Sequence, residues 1–240
     1  MPVAPTLKSY QIDALDRKEV LRYLGYRGQE VTPELDARLD AAIASCLAIG
    51  RARASIAVYD VAGREELPDG TPQVTLADTA LTLVGTSMQR HMRGARKVGV
   101  LAVTIGMGVE RELKRLSLTD HLGQVLFDAA ATTMVERAAD AAEATLVGMA
   151  AREGLYTNFR FSPGYGDMPM QTQHVLLDAL DARRLGITLS PTLLMTPTKS
   201  VTAVVGMFDA PQPSTHASCA DCFCRAFCNL RAATGRTCHD

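Results

Sequence analysis

The sequence predicts an α+β protein with an antiparallel sheet, and three observations lead there. Helix and strand patterns mix along the chain without a regular βαβ repeat. Residues 119–153 are helical in pattern throughout and dense in alanine, which predicts one long, central, largely buried helix. Residues 187–208 read as two or three short strands, and Pro191 and Pro197 make their edges irregular.

The elements follow in order. In "DRKEVLRYLGY" Asp16 is a helix N-cap, Glu19 completes a capping-box pattern and Gly25 is a stop. In "TPELDARLDAAIASCLAIG" Thr32 caps a second helix and Pro33 takes its first position. Leu35, Leu39, Ile43, Cys46 and Leu47 form its apolar stripe, which makes Cys46 a small core residue. "SIAVYDV" reads as a strand, with "QVTL" and "ALTLV" as weaker ones. "SMQRHMRGARKVGVLAVTIGMGVERELKRL" gives a helix, a buried strand over about 98–105, a glycine turn and another helix. The turn lacks a dinucleotide fingerprint, because Arg111 stands where a third glycine is needed. The long helix follows, and at ~1.5 Å per residue it reaches roughly 50 Å. It carries Glu136, Arg137, Asp140 and Glu143, which must either face solvent or find partners. "YTNFRF" is a strand, and "MQTQHVLLDALDARRLG" is a helix stopped by Gly186.

With 240 residues, 47% of them hydrophobic, the chain can bury a sizeable core as one domain or two small ones. Its 25 basic and 26 acidic residues nearly cancel, which gives no support for a nucleic-acid partner. No apolar run is long enough for a membrane span, and "MPVAPTLKSYQIDALDRKEV" lacks the apolar stretch of a signal peptide. A cytoplasmic location is the expectation. His91, His121, His174, His216 and His239 are scattered, and no spacing suggests a zinc protease or a hydrolase.

"DAPQPSTHAS" reads as a linker, dividing the chain into a domain over 1–210 and a tail over 211–240. The tail carries Cys219, Cys222, Cys224, Cys228 and Cys238, spaced C-x2-C-x-C-x3-C-x9-C. A disulfide framework would spread its cysteines through the fold, so clustering points to metal. Cys219, Cys222, Cys224 and Cys228 suffice for a tetrahedral zinc or a [4Fe-4S] cluster, and spacing does not choose between them.

The densest run of special residues is "NFRFSPGYGDMP". Pro163 fixes its own φ and pushes Ser162 into extended geometry. Gly164 and Gly166 permit positive φ and leave the backbone unshielded. Tyr165 offers an aromatic face with a hydroxyl, and Arg160 a planar fork for a carboxylate. Asp167 is placed to meet a cation or to cap the following helix. Such a loop suits either a rigid turn or a mould for a small zwitterion.

The run resembles the "R-x-x-P-G-Y" motif of the activation domain of cobalamin-dependent methionine synthase. "GITLSPTLLMTPTKSV" is similar to that domain's "G-x-x-L-T-E-S-x-x-M-x-P-x-x-S-V", with Gly186, Leu189, Met195, Pro197, Ser200 and Val201 in register. "EVLRYLGYRG", "VLAVTIGMGVERELKRL" and "TTMVERAAD" resemble the stand-alone version of the domain, so the likeness spans roughly residues 10–210. The resemblance implies an S-adenosylmethionine-binding domain that helps restore a methionine synthase whose cobalt has been oxidised to Co(II). An outside donor such as flavodoxin or ferredoxin gives one electron, and Co(I) takes the methyl of S-adenosylmethionine. The cobalamin is carried by the partner, a methionine synthase or related corrinoid protein lacking its own activation domain. No general acid or base is needed, and the chain shows no nucleophile–base set.

Carried over by residue, Arg160, Ser162, Gly164 and Tyr165 contact the ligand, and Asp140 or Glu136 is the counterpart of an acidic contact on the long helix. Two departures stand out. The family's "T-E-S" is Ser190-Pro191-Thr192 here, and a later tyrosine-rich ligand segment gives way to the cysteine tail. The rival reading is a metal-binding electron-transfer or regulatory module on the same fold without methyl-donor activity.

Overall fold

The computed structural model describes residues 3–26 and 28–212. Its elements are β1 (Thr6–Tyr10), α1 (Arg17–Tyr23), α2 (Pro33–Ile49), β2 (Ala52–Glu66), β3 (Pro72–Leu76), β4 (Thr82–Val84), α3 (Thr86–His91), β5 (Lys97–Thr104) and α4 (Met107–Thr119). There follow α5 (His121–Arg152), β6 (Tyr156–Thr157), α6 (Thr172–Ala179), a 3-10 turn (Ala182–Leu185), β7 (Thr188–Leu189), β8 (Met195–Thr196) and β9 (Ser200–Phe208). The main sheet runs β4-β3-β2-β5-β9-β6, with β1 also on β2, and every pairing is antiparallel. The α+β expectation matches this architecture.

β5 is the centre of the sheet, in register with β2 from Arg53↔Thr104 to Asp60↔Lys97 and with β9 from Lys97↔Met207 to Thr104↔Ser200. It is buried almost throughout because both faces of the sheet are covered. Alternate residues therefore feed two cores. On one face Ala54, Ile56, Leu101, Val103, Ala203 and Val205 pack under α2, α4 and α5. On the other, Ala57, Val98, Val100, Ala102 and Val204 pack against Met88, Met92, Leu176 and Leu185.

α5 has 32 residues, about 48 Å of helix. Ala130, Ala131, Ala138, Ala139 and Ala142 are all fully buried along it, so the helix lies close on its neighbours. A Cβ on Gly99 would sit 2.8 Å from a methyl of Leu146, which explains the glycine in mid-strand. The glycine turn before α4 is used for shape: Gly106 has φ +89, and a Cβ on Gly108 would come 3.3 Å from the Ile49 carbonyl.

Several expectations sharpen. Asp16 caps α1, but through Lys18, while Glu19 turns to Arg22 and leaves the capping box half made. Asp120 caps α5 through the Gly123 amide, which separates α4 from the long helix. The helix after the loop splits, because Asp181 adopts the left-handed conformation at φ 46 between α6 and the 3-10 turn. "YTNFRF" pairs with β9 over Tyr156 and Thr157 and again at a single bridge, Phe161↔Val204. Between them the Asn158 side chain accepts from the Gly206 amide, 2.8 Å away, in place of a ladder bond.

Cys46 is fully buried with its thiol 3.6 Å from the Met134 sulfur, and burial pushes its pKa up to about 12. It is a core residue. Cys219, Cys222, Cys224, Cys228 and Cys238 lie outside the described residues, as does nearly all of the 211–240 tail.

Candidate functional site

Arg160 leaves the irregular segment between β6 and the Phe161 bridge and reaches back to α5. Its Nη2 donates to Asp140 Oδ1 at 2.8 Å and lies 3.5 Å from Glu136 Oε2. Its Nε lies 3.2 Å from Glu143 Oε2. The three acidic residues fall on one face of the helix because they are spaced by four and three. The arginine and Asp140, singled out from separate stretches of sequence, thus meet, and Glu136 and Glu143 join them.

The Arg160 side chain is only 19% exposed, and its Nη1 is buried without a hydrogen-bond partner. A buried, unpaired N–H of a charged group is costly, about 1–3 kcal/mol or more, so this atom calls for an acceptor. Three carboxylates gather around this one guanidinium. An orphaned donor beside them suits a ligand that brings a carboxylate oxygen and a cationic group together.

The loop after Arg160 is a rigid turn. The Ser162 carbonyl accepts from Tyr165 N at 3.1 Å, Tyr165 O from Met168 N at 3.0 Å, and Met168 O from Gly164 N at 3.0 Å. The Gly164 amide is therefore committed inside the turn, and its φ of +89 supplies shape. Tyr165 is 65% exposed, its ring edge-on to Phe161 at 6.4 Å. Asp167 is a helix cap, though of the preceding α3: it accepts from Thr86 N at 2.7 Å and Ser87 N at 2.9 Å. Burial opposes ionisation of Asp167, yet the Ser87 and Thr86 amides hold its pKa below the usual value. Gly166 must be small, since a Cβ there would sit 2.6 Å from Ser87 Oγ.

Two residues to which the sequence pattern gives no role build the base of the loop. His91 Nε2 lies 2.9 Å from the Phe159 carbonyl, and Asn158 Nδ2 donates to the His91 carbonyl at 2.8 Å. Nothing in the local pattern at residue 91 signals this, because the partners are 67 and 68 positions away.

Beside the acidic face, α1 and α5 enclose a groove of about 310 Å³ lined by Tyr23, Leu24, Gln124, Val125, Asp128, Ala129 and Thr132. Two of the lining residues are tied by Lys199, whose Nζ lies 2.8 Å from both Asp128 Oδ1 and Thr132 Oγ1. Burial raises the pKa of the Tyr23 hydroxyl, and the Glu136 charge adds to the rise, which ties the groove to the acidic cluster. Ser190-Pro191-Thr192 forms the turn between β7 and β8, where Ser190 Oγ accepts from Leu194 N at 3.0 Å. Among the described residues no group of three or more His, Cys, Asp or Glu is placed to hold a metal ion. No described helix is long and apolar enough to cross a membrane.

The family model of the vitamin B12 dependent methionine synthase activation domain matches residues 66–217. Among solved structures, the chain is similar to the MetH reactivation domain bound to AdoHcy, with a TM-score of 0.63 and 15% identity. That similarity covers 90% of this chain and 81% of the other, and at this identity it establishes the fold. A comparison with curated proteins found no match.

Proposed function

Because the chain belongs to the activation-domain family of vitamin B12-dependent methionine synthase, we propose that it supports the reductive reactivation of a cobalamin-dependent methionine synthase or related corrinoid methyltransferase. Its ligand is S-adenosylmethionine, whose methyl it presents to the Co(I) cobalamin carried by that partner. The observation that carries the reading is Arg160: in the matched motif, with a buried Nη1 lacking a partner and three carboxylates around it.

In this reading Nη1 receives the ligand's carboxylate, while Glu136, Asp140 and Glu143 offer acceptors to its ammonium and a negative field to its sulfonium. Ser162, Gly164 and Tyr165 shape the wall on which the rest of the ligand rests. The chain contributes position and charge; the methyl leaves a sulfonium that needs no proton transfer.

The tail is read as a separate unit over 211–240, in which Cys219, Cys222, Cys224 and Cys228 hold zinc or a [4Fe-4S] cluster. A cluster would let the chain relay the electron from a donor such as flavodoxin or ferredoxin, in a cytoplasmic setting. Anaerobic purification and a visible spectrum separate the two: broad absorbance near ~400 nm marks iron–sulfur, and a colourless zinc-loaded protein removes the relay role.

The test of the main reading is calorimetric titration with S-adenosylmethionine, followed by reactivation of an oxidised methionine synthase lacking its own activation domain. The expected result is saturable binding and return of the partner's methylated cofactor. Arg160→Ala should bind roughly 10–100-fold more weakly, the loss of charge-assisted hydrogen bonds worth about 1.5–3 kcal/mol. Absence of binding heat, with Arg160→Ala behaving like wild type, overturns it.

A further inference from the structure

A side chain reaching from an irregular segment is only as well aimed as the peptides beside it. Arg160 is held on both sides. Downstream, Phe161 exchanges two backbone hydrogen bonds with Val204, at 2.9 and 2.8 Å. Upstream, the Phe159 carbonyl, part of the peptide that ends in the Arg160 nitrogen, is bonded by His91 Nε2 at 2.9 Å. A carbonyl oxygen only accepts, so the proton sits on Nε2.

His91 does more than bond one atom. Its ring packs against both neighbours of Arg160, with centroids 4.6 Å from Phe159 and 5.0 Å from Phe161. Its own carbonyl accepts from Asn158 Nδ2, and Asn158 Oδ1 takes the Gly206 amide, both at 2.8 Å. The end of α3 therefore grips residues 158, 159 and 161 around the arginine. Simple space-filling would require only a ring at this position, whereas the N–H is aimed at the carbonyl of the peptide that leads into the Arg160 Cα.

We propose that His91 is a positioning residue for Arg160: its Nε2–H fixes the Phe159–Arg160 peptide and so aims the guanidinium at the carboxylate of the ligand. This rests on the reading of Arg160 as the ligand's anchor. It adds a positioning residue from a different element, with no contact to the ligand required.

The test compares the full chain as wild type, His91→Phe and His91→Gln. Phe keeps the ring packing and loses the donor, and Gln returns an amide N–H near the Nε2 position. One readout is the NMR resonance of the Arg160 Nε–H in the ligand-free protein, where Nε lies 3.2 Å from Glu143. The other is the calorimetric Kd for S-adenosylmethionine. His91→Phe should shift or broaden the Arg160 signal and weaken binding at least ~10-fold, about 1.4 kcal/mol. His91→Gln should restore the signal and bring the affinity back to within a few-fold. An unshifted Arg160 signal in folded His91→Phe, or a His91→Gln that rescues nothing, overturns the proposal. If His91→Phe does not fold, His91→Asn, too short to reach the carbonyl, takes its place with the same readouts. If wild type binds no S-adenosylmethionine, the anchor reading fails, and the Arg160 resonance alone still decides whether His91 sets its geometry.

Discussion

The two faces of α5 carry opposite duties on one helix. Toward the core it presents Ala130, Ala138, Ala139, Ala142 and Leu146, all fully buried, with Leu146 close on Gly99 of β5. On another face Glu136, Asp140 and Glu143 gather around Arg160. The first face is bought by dispersion and burial of apolar area, which reward tight fit and nothing else. The second keeps three like charges together beside a buried donor without a partner, an arrangement that burial alone does not reward. A region that spends stability in this way is where a ligand is expected to repay it.

The contrast can be broken from either side. Leu146→Ala should have the largest effect on stability, a loss of roughly 2–5 kcal/mol in chemical denaturation, because it opens a cavity against β5. Ligand affinity of the folded fraction should stay within a few-fold of wild type. A lost affinity at preserved stability would mean that the two faces are not separable.

Acid should come next. Burial of His91 lowers its pKa from 6.5 to about 4, with the Phe159 carbonyl bond opposing the shift. A depressed histidine stabilises the fold fully above pH 6.5, and that contribution drains away as pH falls toward 4. It amounts to on the order of 2–3 kcal/mol. Denaturation midpoints between pH 7 and 4 should fall less steeply in His91→Gln than in wild type; parallel curves would contradict a neutral buried ring.

Asp167→Ala should cost about 1 kcal/mol through the uncapped α3. Because the same carboxylate ties the turn to that helix, ligand affinity should fall alongside. Last, Asp140→Asn should change stability by less than ~1 kcal/mol, since its side chain is 54% exposed. Its effect should appear in binding, several-fold weaker, and a stability loss larger than the binding loss would recast the acidic face as structural.

The same helix shows how far a sequence can be read. Its buried face is legible, because alanine density and length are local properties of residues 119–153. The motif around Arg160 is legible too, through its proline, glycines and arginine and through the matching segment at 186–201. The pairing of Glu136, Asp140 and Glu143 with Arg160 is not, since periodicity alone allows those charges to face water. His91 and Asn158 are hidden for the same reason: their roles arise only when the end of α3 is folded against the irregular strand. The glycine pattern does not show that the Gly164 amide is committed to the Met168 carbonyl. The sequence leaves Asp167 to meet a cation or to cap the following helix, and in the fold it caps the earlier α3.

The central claim is that Arg160 holds the ligand through the atom that the protein leaves unpaired. A structure of the full chain with S-adenosylhomocysteine tests it most directly. The prediction is a ligand carboxylate oxygen within hydrogen-bond distance of Arg160 Nη1, with the acidic cluster on the ammonium side. A ligand bound elsewhere, with Nη1 still lacking an acceptor, would contradict it.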